Sequence, residues 1–528
     1  MGVLDYVWLG VLAVFQGPEA FALFGVPISI TLVMVFCGFV LGIAVGATPG
    51  LAGPFAMAIS LPILISVFGY TPDALLPVLG FLIGIMKGAT IGGAVPAILF
   101  NTPGTPDAFM TTLDGYPMAQ KGQAKKALRV AHLSSASGDT FSDLVLFVCA
   151  PFLAILVEAY LDLPEKTALL ILSLSFIAAV IGGSPGKGLI STGLGLLAVY
   201  VGTGEDFYPR LSLGTDELAR GFPITTSVLG VLIIGAAFKG LDEIWRDGVQ
   251  SRKIEAVADA GDQRLNWPEI KGLIPHISRS AFIGTGIGAL PGIGSTLAAT
   301  MGYSMGRARY HKDKQPNDGG FGTGVPAGIA TTEAANSSVS GANLIPVLSL
   351  GIPGNAAAVF LILAMDTIGG LNPGPSVFRF TETSVNPELV VVFGLFTCMT
   401  LANLFNWTIG GVFMRSMGFM IRIPKQLLLP SVLLLTLTAI YVQETRIEAI
   451  WFALGFGVLG YVMRLLAISP LPFVVAFILG KSLEETARQA YSATGNDPFF
   501  LFNNPISAAF MALAFAVIVV SSRNPKDK

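Results

Sequence analysis

One phrase occurs twice in this chain with its spacing intact. Residues 42–53 read GIAVGATPGLAG and residues 284–295 read GTGIGALPGIGS, so Gly42, Gly46, Pro49 and Gly50 recur as Gly284, Gly288, Pro291 and Gly292. A second Pro-Gly follows each copy inside apolar sequence, Asn101-Thr102-Pro103-Gly104 in the first half and Gly351-Ile352-Pro353-Gly354 in the second. Proline removes a backbone donor and crowds the preceding turn, and glycine lets the chain change direction, so each pair predicts an interrupted helix. The sequence around these breaks is membrane sequence: of 528 residues 53% are hydrophobic and 12% charged, where a soluble chain carries about 25% charged. Apolar runs of about 17–20 residues, enough to cross roughly 30 Å of hydrocarbon, recur along the chain. In hydrocarbon, backbone freed at a break is tolerated only where it faces protein or a water-filled cavity. Paired breaks at corresponding places in two halves therefore point to the binding site of a secondary transporter.

The expected fold class is an all-α polytopic membrane protein of about 12 transmembrane segments, in two inverted-topology repeats with Pro-Gly-broken helices or re-entrant hairpins. Residues 1–25 lack a basic stretch and a small-residue cleavage site, and are expected to stay as a first or interfacial helix. Residues 26–240 form the first repeat, 241–279 a polar linker and 280–528 the second repeat. The offset between halves is 242 at the first Pro-Gly, 250 at the second, and 260 between the stretches starting at Leu163 and Ile423. A slowly growing offset means one duplicated unit with loop insertions. Charge sets the orientation. The stretch 114–130 after the second break is basic in half one, with Lys121, Lys125, Lys126 and Arg129, while its counterpart sets Arg379 against Glu382 and Glu388. The next matched loop reverses this, with Glu158, Asp162 and Glu165 against Arg415, Arg422 and Lys425. Because Lys and Arg stay cytoplasmic, equivalent loops are expected on opposite sides.

Lys87, in GFLIGIMKGATIGG, falls in mid-span, where a charge is expensive and usually functional unless its long side chain snorkels to water. Glu333 and Asn336, in GIATTEAANSS, either cap a helix end or line an ion path. Asp366 is either a further intramembrane carboxylate or the start of a loop at 366–388. Cys37, Cys149 and Cys398 have no ligand-like spacing and read as small core residues. Gly182-Gly183-Ser184-Pro185-Gly186 matches the hydrolase pattern G-x-S-x-G but has no evident strand-to-helix elbow or paired base, so it reads as a loop. His132, His276 and His311 fall in or beside polar stretches. No H-E-x-x-H, Walker loop or metal-ligand cluster occurs, so no metal or cofactor is expected beyond a coupling cation. An intramembrane enzyme is disfavoured because no nucleophile and base are visible, and an anion channel because repeated broken helices suit alternating access.

GATPGLAG, then GGAVPAILFNTPG with DGYPMAQKGQA, then GTGIGALPGIGST, EAANSSVSGANLIPVLSLGIPGN and LNPGP together resemble the large membrane subunit of tripartite tricarboxylate transporters, the TctA-type family. The resemblance covers nearly the whole chain. It implies a multi-pass secondary carrier of the bacterial inner membrane that takes up organic carboxylates on an ion gradient, typically sodium. It also implies two partners, a small four-helix membrane subunit and a periplasmic substrate-binding protein, and no nucleic acid. Its motif positions fall here on Pro49, Gly50, Asn101, Pro103, Gly104, Asp114, Gly115, Pro291, Gly292, Glu333, Asn336, Gly351, Pro353 and Gly354. The chain departs from the family where a tyrosine-rich Y-Y-G-A-x-Y-G-G is replaced by residues 86–93, MKGATIGG, and where Thr-Pro-Asp follows Pro103-Gly104.

The expected substrate site collects Pro49, Gly50, Asn101, Thr102, Pro103, Gly104, Pro291, Gly292, Gly294, Ser295, Gly351, Pro353, Gly354 and Asn355, with Lys87 drawing in the anion. Helix N-termini at the breaks would offer free N–H groups to a carboxylate. Asn101, Thr102, Glu333, Asn336 and Asn343 are the expected ion-coupling residues, with Asn355 a further oxygen donor, and Gly195, outside the breaks, is expected to tolerate a side chain better.

Overall fold

A computed structural model describes all residues except 1, 49–50, 182–183, 204–207, 213, 248–262, 291–293, 313–319, 379, 381–383, 418–424 and 524–528. The chain opens with α1 (Val3–Phe15), an antiparallel hairpin of β1 (Glu19–Leu23) and β2 (Val26–Ser29), α2 (Ile30–Gly46) and α3 (Gly53–Phe68). Next come α4 (Pro72–Phe100), α5 (Thr112–Met118), α6 (Ala124–Tyr160), α7 (Leu163–Ile181) and α8 (Pro185–Val199). A short ladder of β3 (Gly202–Thr203) and β4 (Pro209–Arg210) leads to α9 (Asp216–Ala219), α10 (Ile224–Leu229) and α11 (Gly235–Asp247). The later part holds α12 (Trp267–Gly288), α13 (Ser295–Lys312), α14 (Pro326–Ala342), α15 (Leu344–Leu350), α16 (Ala356–Ile368), α17 (Pro387–Phe405) and α18 (Gly411–Ser416). It ends with α19 (Lys425–Glu444), α20 (Ile447–Leu465), α21 (Leu471–Ala493) and α22 (Pro505–Arg523).

Seven helical stretches among the described residues are long and apolar enough to cross a membrane, while α1, α2, α3 and α16 are apolar but shorter. For α2, α3 and α16 the reason lies in the sequence, since each abuts one of the Pro-Gly segments. Burial divides the spans sharply: the apolar window of α4 is 89% buried, whereas that of α22 is 11% buried and turns its hydrophobic faces outward, as a lipid-facing helix does.

The compact units do not follow the two halves of the sequence. One unit comprises Met1–Ala154, Ser251–Leu290 and Gly294–Pro424, and the other Ile155–Gln250, Pro291–Ile293 and Lys425–Lys528, so each takes elements from both halves. The first unit is built on α2 against α4 and on α12 against α14, and both pairs rest on glycines. A Cβ at Gly42 would lie 2.5 Å from the Ile85 carbonyl oxygen, and one at Gly46 would lie 2.3 Å from that of Ala89. In the second pair a Cβ at Gly284 would lie 2.2 Å from the Ala335 carbonyl oxygen, and one at Gly288 would meet Val339. Ile85 and Ala89 differ from Ala335 and Val339 by 250 residues, the offset read from the sequence. The duplication is thus a repeat of packing as well as of letters. Gly42→Val and Gly284→Val should each lower stability by about 1–3 kcal/mol or more, because two backbones in direct contact must separate. Gly193, where an added Cβ meets nothing within 4 Å, should instead gain about 0.5–1 kcal/mol on mutation to alanine. Thermal unfolding of the three purified variants in one detergent checks both signs.

In the second unit, α7 with α8, α8 with α21, and α20 with the π-helical turn Gly230–Ile234 pack in the same close manner. The guanidinium of Arg464 there donates to the carbonyls of Val231, Gly460 and Leu232, each at 2.8 Å, supplying donors to carbonyls on both helices. Gly195 is corrected as a benign position, since a Cβ there would lie 2.2 Å from the Phe473 carbonyl oxygen.

Other expectations are corrected too. Residues 19–29 form a hairpin with Phe24 98% exposed, not a continuation of helix, and its turn is made by Phe24 and Gly25 at positive φ. The stretch 114–130 is helical rather than a loop, carried by α5, a π-helical turn at Ala119–Gln123 kinked at Gly122, and the start of α6. Asp366 is exposed in the last turn of α16, Cys37 is exposed on α2, and His132 and His276 are carried within α6 and α12. Ser184 accepts from the amide of Lys187 and so caps α8; residues 182–183 lie outside the described residues.

Candidate functional site

Two of the four breaks are fully described, and they have the same backbone geometry. α4 runs through Pro96 to Phe100, and the chain leaves the helix through Asn101 in the left-handed conformation (φ 51°), whose neighbour Thr102 donates its amide to the Pro96 carbonyl at 3.2 Å. In the second half Gly351 is left-handed (φ 71°) and Ile352 donates to the Pro346 carbonyl, also at 3.2 Å. Gly104 donates to the Gly93 carbonyl at 3.3 Å, and a Cβ on Gly104 would lie 2.1 Å from the Gly46 carbonyl oxygen, so the second break seats on the end of the helix preceding the first. At the matching place, a Cβ on Gly354 would lie 2.6 Å from Asn343 Oδ1. The amide of Asn343 stands where half one has Gly93, beside which an added Cβ would lie 2.7 Å from Thr105 Oγ1, so the second half puts a polar side chain where the first has glycine packed by threonine.

Pro49, Gly50, Pro291 and Gly292 lie outside the described residues, so their flanks carry the description. Ala47 ends α2, and α3 begins behind Ala52 with no side-chain cap on its first amides. Gly294 has open space around its α-carbon, and Ser295 opens α13. Thr296, one residue on, donates to Asp107 at 2.6 Å, which ties the start of α13 to the 3-10 turn Pro106–Phe109 behind the second break. The structure therefore brings together the end of α2, the second break and the start of α13. Asn355 is corrected as a free oxygen donor: its Oδ1 accepts the Ala358 amide at 2.8 Å and caps α16. Asn101 is exposed, and the Thr102 hydroxyl donates to the Phe100 carbonyl.

Against this cluster stands a helix that is buried along its whole length yet polar. All residues of α14 after Pro326 are buried, among them Thr331, Thr332, Glu333, Asn336, Ser337, Ser338 and Ser340. A buried helix is ordinarily apolar all round, so each of these groups needs a partner or a purpose. Glu333, fully buried, is hydrogen-bonded by the Thr111 hydroxyl and by that of Ser135 at 2.9 Å. Asn336 Nδ2, Ser337 Oγ and Asn343 Nδ2 are buried with no hydrogen-bond partner. Glu333, Asn336, Ser340 and Asn343 recur at helical spacing and form one polar stripe.

A carboxylate holds the entrance of that helix. Asp114 is buried, and its Oδ1 accepts the amides of Gly322, Gly324 and Val325, each at 2.9 Å, while Oδ2 accepts the Tyr303 hydroxyl at 3.0 Å. Gly322 and Gly324 take positive φ to turn those amides inward. A Cβ at Gly328 would meet Asp114 Oδ2 at 2.0 Å, which fixes glycine on the first turn of α14.

Lys87 stands elsewhere, and both expectations for it are corrected. It is fully buried, so it does not snorkel, and its ammonium lies 2.8 Å from Asp143 and 3.2 Å from Asp139, so its charge is neutralised within the protein rather than offered to an anion. Asn403 Nδ2 donates to Asp143 at 2.7 Å, and Ser340 donates to Asp139. Sequence reasoning missed Asp139, Asp143, Ser340 and Asn403. The available signal was Asp139 and Asp143 at i, i+4 with Ser135 one turn earlier, a polar stripe on an otherwise apolar helix.

A sequence model of the tripartite tricarboxylate transporter TctA family matches residues 32–475. A protein of Agrobacterium vitis described as "Uncharacterized 52.8 kDa protein in TAR-I ttuC' 3'region" is 31% identical over 512 residues, spanning 94% of this chain and 95% of that protein. A second from the same organism, "Uncharacterized protein in TAR-II ttuC' 3'region", is 27% identical over 253 residues, 46% of this chain and 98% of that protein. No solved structure matches.

Proposed function

This chain belongs to the tripartite tricarboxylate transporter TctA family, and on that premise we propose that it is the large membrane subunit of a three-part uptake system for an organic carboxylate. Its partners are a small membrane subunit and a periplasmic binding protein, and it works in the bacterial inner membrane by alternating access. The observation that carries this reading is the pair of left-handed helix exits at Asn101 and Gly351 with the same amide-to-proline hydrogen bond, in a chain whose helix α14 is buried yet polar.

The substrate carboxylate is taken at the turns of the four breaks, where Gly104 and Gly354 let backbone approach closely at the helix ends. Two helix N-termini of roughly half a positive charge each offset one carboxylate without a buried arginine. The coupling cation, sodium, is taken by the oxygens of Asn101, Thr102, Asn336 and Asn343, with Glu333 as the charged member. The repeats are inverted in the bilayer, a reading supported by the switched charge of matched segments.

Cells expressing the chain with its two partners should accumulate citrate saturably and in proportion to a sodium gradient, and should lose uptake when either partner is removed. Uptake that does not saturate would overturn the carrier in favour of a channel. Orientation is checked separately. Cysteines at the exposed positions Gln120 and Ser384, treated with a membrane-impermeant maleimide on intact cells, should label at Ser384→Cys and stay unlabelled at Gln120→Cys. Equal labelling overturns the inversion.

A further inference from the structure

We propose that Lys87, Asp139 and Asp143 form a proton site distinct from the break-lined site, with the proton held on Asp139 and carried with the substrate. This rests on the carrier reading above. Four helices build the site: α4 supplies Lys87, α6 both carboxylates, α14 Ser340 and α17 Asn403. Lys87 and Asp139 are 0% exposed, Asp143 2% and Asn403 7%.

The charge count drives the argument. One ammonium faces two carboxylates, leaving one negative charge over in a place cut off from water. An uncompensated buried charge is costly by several kcal/mol, so the relaxed cluster takes up one more positive charge. No other cation stands near enough to supply it among the described residues: the nearby Glu333 on α14 is itself acidic and bound to Thr111 and Ser135, His132 on α6 lies two turns from Asp139 and binds the Asn406 carbonyl, and α17 offers Asn403 and the thiol of Cys398.

Where the charge goes follows from which atoms are free. Lys87 is shared by Asp139 Oδ1 and Asp143 Oδ1, Ser340 donates to Asp139 Oδ1, and Asn403 Nδ2 donates to Asp143 Oδ2. Asp139 Oδ2 and Asn403 Oδ1 are left, both buried and both without a hydrogen-bond partner. A hard metal cation wants about six oxygens, and here it would sit beside a fixed ammonium that repels it. A proton needs one. Asp139 takes it on Oδ2 as the carboxylate becomes a carboxylic acid, leaving Lys87 and Asp143 as a neutral pair. Release of the same proton restores the excess negative charge, so each cycle of protonation moves one unit of charge through the core.

Two measurements test this. The first uses infrared difference spectroscopy of the full purified chain in lipid as pH is stepped between about 5 and 8. The parent should show a protonated-carboxyl stretch that is absent in Asp139→Asn, a near-isosteric change that leaves the cluster neutral and is expected to unfold no earlier than the parent. The double variant Lys87→Met with Asp143→Asn should keep the band, because Asp139 then remains as the one acid. A spectrum with no Asp139-dependent carboxyl band in either protein overturns the proton site. The second uses cells expressing the three-part system with the membrane potential clamped and radiolabelled citrate as probe. One pH unit, acid outside, should raise steady-state accumulation about tenfold for one coupled proton, and Asp139→Asn should abolish that gain. Sodium-driven uptake that ignores the pH gradient in the parent overturns proton coupling and leaves the carrier standing; absence of uptake under any gradient counts against the carrier itself, while the infrared result still decides the proton site.

Discussion

Replacing Asp114 by alanine is expected to leave little folded protein in the membrane. The carboxylate is the acceptor for the amides of Gly322, Gly324 and Val325 and for the Tyr303 hydroxyl, and among the described residues no other acceptor takes these bonds. A buried donor left without a partner costs about 1–3 kcal/mol, so orphaning three amides removes more than about 3 kcal/mol, a large share of the margin by which proteins stay folded. Asp114→Asn should be milder, since its Oδ1 still accepts the three amides while its Nδ2 donates to the Tyr303 hydroxyl oxygen, which accepts as well as donates. Tyr303→Phe removes one donor and leaves the others paired, so it should cost only about 1 kcal/mol. Fluorescence-detected size exclusion after a temperature series ranks the three; Asp114→Ala melting alongside Tyr303→Phe would show that the clamp is not what positions α14.

Lys87→Met carries the next largest effect. It strands Asp143 as a buried carboxylate beside the protonated Asp139, and removal of one partner from a buried ion pair costs about 3–5 kcal/mol. The triple change Lys87→Met, Asp139→Asn, Asp143→Asn keeps the volumes and removes the charges, so it should recover most of that loss. If Lys87→Met alone melts like the parent, water reaches the cluster and the charge argument above fails with it.

The sequence by itself determined a good deal about this protein. Pro103-Gly104 and Pro353-Gly354 forbid a continuous helix on local grounds, because a missing amide and a freely turning glycine are properties of single residues. The glycines at 42, 46, 284 and 288 announced close packing for the same reason, although which backbone each would meet was not legible. Apolar length marked the membrane spans, since hydrocarbon thickness is a one-dimensional constraint that one stretch of chain satisfies alone.

Tertiary structure decided what needed two distant segments at once. Lys87 read as an isolated charge because its partners lie 52 and 56 residues away, and nothing local to any of the three discloses a pairing made only when α4 and α6 are packed. Asp114 looked like a loop residue within a family motif, and became a clamp through amides 208 to 211 residues downstream. Asn355 was open to a cation role until its own helix start took up its oxygen. The division into units that each mix both halves was likewise invisible, because chain order carries the duplication while burial of apolar surface pairs helices without regard to which copy they came from.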